Sequence, residues 1–232
     1  MRPESRFRLV LLVAATAIGA GCVHLRRAAP SPADTTTVGI APDSFDVEFV
    51  TTKGTMLVRA RRAWSPLGVD RFHHLARVHF FDSAAFFRTI GNFVAQFGLN
   101  GDPAVNAAWR GKSIQDDTIR VVNQRGTLSF ARGGANSRST QLFFNLVDNT
   151  PRLDTLNAFG FPPIAQIIQG IEVLDQLNHE YGGVRGGASP PASAQPSQDS
   201  ITRQGNAYLR RHFPRLDYIV TARIVADYGH RR

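Results

Sequence analysis

The chain has 232 residues, of which 43% are hydrophobic and 19% are charged. These values are ordinary for a globular protein, so the chain can bury a sizeable core in one or two domains. The single cysteine excludes an intramolecular disulfide. The 27 basic and 18 acidic residues give a net charge of +9, which favours anionic partners. Because the basic residues are scattered and form no known nucleic-acid-binding module, we do not expect a nucleic-acid partner.

Residues 1–21 have the pattern of a secretory signal peptide. Arginines precede an apolar run from Leu9 to about Ala20, which is too short to span a bilayer comfortably. Cys22 follows small residues, in a position that resembles the lipidated cysteine of bacterial lipoproteins. We therefore predict an exported bacterial envelope protein, anchored at the periplasmic face of the membrane by a lipid on Cys22. Because Gly19 stands where such proteins usually have a large apolar residue, plain secretion and an uncleaved anchor stay open as alternatives.

Residues 22–43 are rich in Pro, Ala and Thr without periodicity, and this composition predicts a flexible tether. A folded domain is predicted over residues 44–228. It begins with alternating apolar residues on both sides of Lys53-Gly54, a pattern typical of a β-hairpin. Ser65 then fits the N-cap of an amphipathic helix, and Pro66 fits its first turn.

Short β-type runs follow this helix, separated by Gly, Asn and Asp. They are Phe86–Ile90, Phe93–Phe97, Gly126–Ala131, Gln141–Leu146 and Ile164–Ile168. The pattern of residues 170–178 predicts a second amphipathic helix. A Gly-, Pro- and Ser-rich loop is predicted over 182–200, and a last strand follows near 216–225. Many short strands with few helices indicate a mainly β domain, either a closed barrel or a sandwich.

The sequence has no motif of a zinc protease, a P-loop protein, a serine hydrolase or a Rossmann fold. We expect His73-His74 to be a solvated helix face, and we assign Asp82 and Asp116-Asp117 to turns. None of these residues has the spacing of a metal site. We therefore expect no metal and no cofactor, so that any reaction would depend on binding and electrostatics alone.

Three segments place hydrogen-bonding side chains among large apolar ones. They contribute Arg88, Phe93, Val94, Gln96, Ala131, Arg132, Gln141, Phe143, Leu153 and Phe161. Gln141 and Phe143 are two residues apart on a predicted strand, so they share one face. Arg88 and Gln96 can reach a common face if Gly91-Asn92 turns the chain. Together these residues predict a shallow apolar pocket with polar donors at its rim.

The same segments resemble the cyclophilin-type peptidyl-prolyl cis-trans isomerases. The resemblance runs from about Phe45 to Val225 and is strongest in FFRTIGNFVAQFG, GTLSFARGGANSRSTQLFFN and GFPPIAQIIQGIEVLDQL. It implies a closed eight-stranded antiparallel β-barrel capped by two α-helices. It also implies an isomerase that acts on proline-containing polypeptides, here folding envelope or secreted proteins, without a cofactor. We expect the protein to be a monomer.

The resemblance implies catalytic roles for Arg88 and Gln96. The substrate-binding residues that it implies are Phe93, Val94, Ala131, Arg132, Gln141, Phe143, Leu153 and Phe161. The chain also departs from the family pattern: Phe87 replaces a histidine, Gly91-Asn92 a Pro-Gly pair, Arg152 an aromatic residue and Phe161 the pocket histidine. These departures concern efficiency and inhibitor binding more than the reaction, because the arginine and both glutamines are kept.

Other interpretations stay open at this point. Arg88 can pair with a carboxylate at an end of the barrel, Phe93 and Phe143 can be ordinary core residues, and Arg132 can be a solvated loop charge. For the whole protein, one alternative is a proline-binding chaperone module with little turnover. The other is a basic envelope protein that binds anionic polymers or lipids.

Overall fold

The computed structural model describes residues 31–35, 39–156, 160–187 and 190–229; the predicted signal peptide and Cys22 lie outside these ranges. The described strands form one antiparallel sheet in the order β3-β4-β6-β5-β7-β2-β1-β8. They are β1 (Ser44–Thr51), β2 (Gly54–Arg61), β3 (Arg88–Ile90), β4 (Val94–Phe97), β5 (Thr127–Phe130), β6 (Leu142–Asn145), β7 (Pro163–Gln169) and β8 (Ile219–Tyr228). The predicted mainly β fold is confirmed, and so is the β1–β2 hairpin.

The sheet is open between its edge strands β3 and β8. The chain segments that precede these strands meet at one antiparallel bridge between Ala85 and Tyr218, and no ladder between the two strands follows it in the described residues. Beyond the three residues of β3, Gly91 pairs with Val184 in a parallel bridge. The segment around Val184, and not β8, therefore pairs with the chain at the end of β3. The prediction of a closed barrel is wrong, because the sheet is an open half-barrel.

The described helices outnumber the two that the sequence predicts. They are α1 (Pro66–Arg77), α2 (Pro103–Ala108), α3 (Thr150–Leu153) and α4 (Gln198–His212), with 3-10 helices at Ile171–Gln176 and Ala192–Ala194. The predicted helix over 170–178 is thus a 3-10 helix, and α4 replaces the end of the predicted loop. None of the helices in the described part of the chain has the length and hydropathy needed to cross a membrane.

The start of α1 is capped differently from the prediction. Ser65 precedes the helix as expected, but its side chain makes no capping hydrogen bond. The carboxylate of Asp117 instead accepts hydrogen bonds from the backbone N–H groups of Leu67 (3.2 Å) and Gly68 (2.9 Å). Because a helix N-terminus leaves its first N–H groups without partners, this carboxylate satisfies two of them and complements the helix dipole.

In the histidine pair on α1, His74 is buried and the side chain of His73 is 13% exposed, so the prediction of a solvated helix face is wrong. His73 packs edge-on against Phe45, with ring centroids 4.8 Å apart, and this burial lowers the pKa of His73. His74 Nε2 lies 2.8 Å from the carbonyl oxygen of Asp34. Trp109 Nε1 likewise donates to the carbonyl oxygen of Pro32 at 2.8 Å. Pro32 and Asp34, which belong to the predicted tether, thus contact the domain.

Helix α4 packs on a small second core near β3. This core consists of Ala85, Phe87, Leu99, Ile201, Leu209, Phe213 and Leu216. Phe87, which stands where the family pattern has a histidine, is 1% exposed and belongs to this apolar cluster. The phenylalanine at position 87 therefore packs in the same apolar cluster as α4, a helix that the sequence pattern did not predict.

Replacing Gly205 with alanine is expected to destabilise the protein by about 2–3 kcal/mol, because the backbone there has a conformation that is nearly restricted to glycine. Gly205 breaks α4 with φ 59° and ψ −146°. An added Cβ would also lie 2.0 Å from the carbonyl oxygen of Gly101. Urea unfolding measures the decrease in the free energy of unfolding. Gly134→Ala is the matched control, since its Cβ meets no atom within 4 Å; equal midpoints for the two variants would contradict the prediction.

Candidate active site

The β3–β4 hairpin brings Arg88 and Gln96 together. The two residues are directly opposite each other in the strand pairing. Between the strands, the N–H of Phe93 donates to the carbonyl oxygen of Ile90 at 3.1 Å, which closes a turn through Gly91 and Asn92. Asn92 has φ 58°, a conformation that asparagine tolerates better than most residues. The departure from the family pattern at this turn therefore still places both side chains on one face.

A chain of side-chain hydrogen bonds begins at Arg88. Its Nη1 donates to Gln96 Oε1 at 3.1 Å, and Gln96 Nε2 donates to Gln141 Oε1 at 2.8 Å. Burial lowers the pKa of Arg88. In the described residues Arg88 has no ion pair, so the alternative of a structural arginine paired with a carboxylate is not met. The guanidinium is held by a neutral amide, and within the described part of the chain no second hydrogen bond occupies its remaining N–H groups.

A cavity of about 270 Å³ lies beside Arg88 and Gln96. It is lined by Arg88, Phe93, Val94, Gln96, Ala131, Arg132, Phe143, Arg152, Leu153, Leu156 and Phe161. Every predicted catalytic or substrate-binding residue is in this set except Gln141, which is hydrogen-bonded to Gln96. The structure thus gathers the predicted residues from three distant segments around one cavity.

The apolar wall of the cavity is separate from the main core. Val94, Phe143, Leu153 and Phe161 form their own buried cluster, with Phe93 and Ala131 packed against it. The rings of Phe143 and Phe161 meet edge-on, with centroids 5.7 Å apart. Phe93 and Phe143 are therefore not ordinary core residues, because the cluster to which they contribute faces the cavity.

Arg132 is a buried part of this wall. Its side chain is 2% exposed and pairs with Asp116, with Nη1 and Oδ2 3.0 Å apart. Its guanidinium lies over the ring of Phe161, 5.2 Å from the centroid. The alternative of a solvated loop charge is thus wrong for Arg132, and so is the assignment of Asp116 to a simple turn. The pair fixes the position of the Phe161 ring.

A comparison with protein families identifies the chain. Residues 46–203 match the model of the cyclophilin type peptidyl-prolyl cis-trans isomerase family. The protein is a cyclophilin-type isomerase. It is 28% identical over 160 residues to peptidyl-prolyl cis-trans isomerase B of Escherichia coli K12. The aligned region covers 67% of this chain and 94% of the E. coli protein.

Other relatives agree with this assignment. The isomerase is 25% identical to a peptidyl-prolyl cis-trans isomerase of Acinetobacter baylyi, over 56% of this chain and 70% of that protein. A crystal structure of a cyclophilin-type isomerase from Cryptosporidium parvum is similar in fold, with a TM-score of 0.55 and 17% sequence identity. The superposition covers 80% of this chain and 99% of the Cryptosporidium parvum chain. A second structure of that protein was determined in the presence of the dipeptide Ala-Pro.

Buried asparagines behind the cavity hold the wall of the isomerase, and sequence reasoning missed them. Asn123 Nδ2 donates to the carbonyl oxygen of Phe161 at 2.9 Å, and Asn149 Nδ2 donates to that of Phe93 at 2.9 Å. Asn145 joins the two, donating to Asn123 Oδ1 and accepting from Asn149. Asn145 is fully buried at the end of apolar β6, and a polar residue in such a run was the one available signal.

Helix α4 adds a second wall that the sequence did not predict. Gln141 Nε2 donates to Gln198 Oε1 at 3.0 Å, so the first residue of α4 continues the hydrogen-bond chain from Arg88. Gln198 and Thr202 line an adjacent cavity of about 400 Å³, which shares Gln96 and Gln141 with the polar side of the site. The candidate site is therefore extended by a helix that lies between β7 and β8 in the sequence.

Proposed function

We propose that the protein accelerates rotation about X–Pro bonds, with Arg88 as the donor that stabilises the twisted amide. The observation that carries this proposal is the position of Arg88 at the edge of the apolar cavity, with its Nη1 fixed on Gln96 Oε1 at 3.1 Å. An apolar cavity of about 270 Å³ is suited to a proline ring, and the guanidinium lies beside it.

The reaction needs electrostatics and no covalent chemistry. Rotation breaks amide resonance, so the barrier is about 18–20 kcal/mol and the uncatalysed process takes tens of seconds or more. In the twisted state the lone pair is localised on the proline nitrogen. A guanidinium N–H directed at this nitrogen, or at the adjacent carbonyl, stabilises the twisted state more than either planar isomer. The apolar wall excludes water, which strengthens this interaction.

In this mechanism Gln96 orients the catalytic arginine. Its Oε1 accepts from Arg88, and its Nε2 is committed to Gln141, so the amide has one fixed orientation. Ala131 directly follows β5, and its N–H donates to the carbonyl oxygen of Gln141 at 2.9 Å. We assign the substrate backbone to the Ala131-Arg132 segment, the proline ring to the apolar cluster, and the reacting amide to Arg88.

An isomerase assay on an Ala-Pro peptide tests this function. A protease that cleaves only the trans isomer reports the rate at which cis peptide is converted. We expect the described domain to accelerate the conversion in proportion to its concentration. Binding of the peptide without acceleration would contradict the proposal and would instead support a proline-binding chaperone module.

We also propose that the enzyme acts as a monomer on proteins that fold in the bacterial envelope, anchored through a lipid on Cys22. The arginines and the apolar run before Cys22 support this location. Cys22→Ala is expected to abolish the incorporation of labelled palmitate, because the thiol is the attachment site. Gel autoradiography of labelled cells measures the incorporation, with Ser31→Ala as the control. Equal incorporation by both variants would contradict lipidation of Cys22.

A further inference from the structure

Two arginines from separate segments contact the ring of Phe93 at the mouth of the cavity. The Cζ atom of Arg152 lies 5.5 Å from the ring centroid, and that of Arg185 lies 5.2 Å from it. Both residues are exposed to solvent. The two guanidinium groups are thus within about one Debye length of each other at 0.1 M salt, roughly 10 Å, and their charges repel.

Both arginines are placed by features in which this chain departs from its family. Arg152 belongs to α3 and precedes Leu153 of the cavity wall, at a position where the family pattern has an aromatic residue. The N–H of Arg185 donates to the carbonyl oxygen of Gly91 at 2.8 Å, and the N–H of Gly91 donates to Gly183 at 2.9 Å. A proline at position 91 would have no N–H to donate. Gly91 therefore allows the Arg185 segment to pair with the β3–β4 turn.

The charge at this mouth is not balanced. The cavity lining contains Arg88, Arg132 and Arg152 but no carboxylate among the described residues. Of these three arginines, Arg132 is neutralised by Asp116. Neither Arg152 nor Arg185 forms an ion pair with any residue that the structure describes. An anion placed between the two exposed guanidinium groups would relieve their repulsion.

We infer that Arg152 and Arg185 select substrates with a carboxylate side chain one or two residues from the proline. The inference rests on the proposed function, because it is the proline in the cavity that brings its neighbours to the mouth beside Phe93. An extended chain advances about 3.3 Å per residue, so these neighbours come within reach of the arginines. A guanidinium binds a carboxylate through paired hydrogen bonds, which a glutamine side chain of the same size cannot match.

Peptide binding measured by NMR titration tests the inference without depending on turnover. The probes are proline peptides with Glu or Gln placed before or after the proline. For the wild type we expect the Glu peptide of at least one pair to bind about threefold to tenfold more tightly at low salt, as two exposed ion pairs allow. About 0.5 M NaCl should remove most of this preference. The variant Arg152→Gln/Arg185→Gln should bind Glu and Gln peptides equally, whereas the control Arg77→Gln should keep the wild-type ratio.

Equal binding of every Glu and Gln pair by the wild type would overturn the inference, and so would a preference that survives in the double variant. These outcomes differ from failure of the proposed function. A protein that isomerises a neutral Ala-Pro peptide but has no preference for Glu loses only the inference. A protein that prefers Glu peptides but isomerises none of them loses the proposed function.

Discussion

Replacing Arg88 with alanine is expected to lower kcat/KM for an Ala-Pro peptide by about 100- to 1,000-fold, the usual effect of losing one donor that acts on the transition state. The guanidinium of Arg88 lines the cavity and is held by the neutral side-chain amide of Gln96 at 3.1 Å, so its N–H groups are directed without being neutralised. The protease-coupled assay measures the loss. Arg88→Lys should remain strongly impaired, because an ammonium lacks the planar fork of the guanidinium.

Two checks make this prediction specific to the mechanism. Arg77→Ala removes an exposed arginine from the end of α1 that does not line the cavity, and should keep the wild-type rate. Urea unfolding should show that Arg88→Ala is folded, since the residue makes no ion pair in the described part of the chain. A folded Arg88→Ala variant with the wild-type rate would show that the arginine is not the donor.

Replacing Arg138 with methionine is expected to destabilise the protein by about 3–5 kcal/mol, because it leaves buried carboxylate charge without its partner. The Arg138 side chain is 1% exposed. Its Nη2 lies 3.0 Å from Asp117 Oδ2, its Nε lies 3.3 Å from Asp116 Oδ1, and its Nη1 donates to Ser65 Oγ at 3.2 Å. Since Asp117 also caps α1, the arginine stabilises the start of the helix. Urea unfolding measures the change.

A double-mutant cycle with Asp117→Asn separates this pair from other effects. The asparagine oxygen can still accept hydrogen bonds from the N–H groups of α1, but it carries no charge. Arg138→Met/Asp117→Asn should therefore be less destabilised than the sum of the single variants, by about 1 kcal/mol or more. Simple additivity would contradict a coupled buried pair.

The same network predicts an acid sensitivity with a definite sign. Burial alone would raise the pKa of Asp117, but hydrogen bonds from Ser65 and Gly68 and the charge of Arg138 outweigh it, so the pKa is lowered. The stability that this carboxylate contributes is complete above its unfolded pKa, about 3.9, and is lost as pH falls through its lower folded pKa. Unfolding measured from pH 5 to pH 2 should show a smaller loss in Asp117→Asn than in the wild type.

Local patterns predicted those elements whose partners are close in sequence. The β1–β2 hairpin follows from alternating residues around Lys53-Gly54, and the opposition of Arg88 and Gln96 follows from a short turn. The cap of α1 did not follow, because Asp117 reaches Ser65 across 52 positions. The open edge of the sheet likewise depends on the pairing of Gly91 with Val184, which no local pattern records.

Helix α4 shows how composition can hide an element. The stretch before it is rich in Gly, Pro and Ser, so the loop prediction ran through its first turn. The local signals were present: Ser197 accepts a capping hydrogen bond from Ser200, Asp199 lies in the first turn, and basic residues lie in the last. At the site, the exposure of Arg132 was misjudged for a related reason. Its burial depends on Asp116 and Phe161, which are distant in sequence.

The central claim is that Arg88 stabilises the twisted amide and contributes little to holding the planar peptide. Exchange NMR on an Ala-Pro peptide saturated with enzyme measures both quantities, the dissociation constant and the rate of cis–trans conversion on the enzyme. We predict that Arg88→Ala keeps the dissociation constant within about threefold of the wild type and slows conversion on the enzyme by about 100-fold or more, as expected for an interaction made only in the transition state. Unchanged conversion on the enzyme, with only weaker binding, would contradict the mechanism.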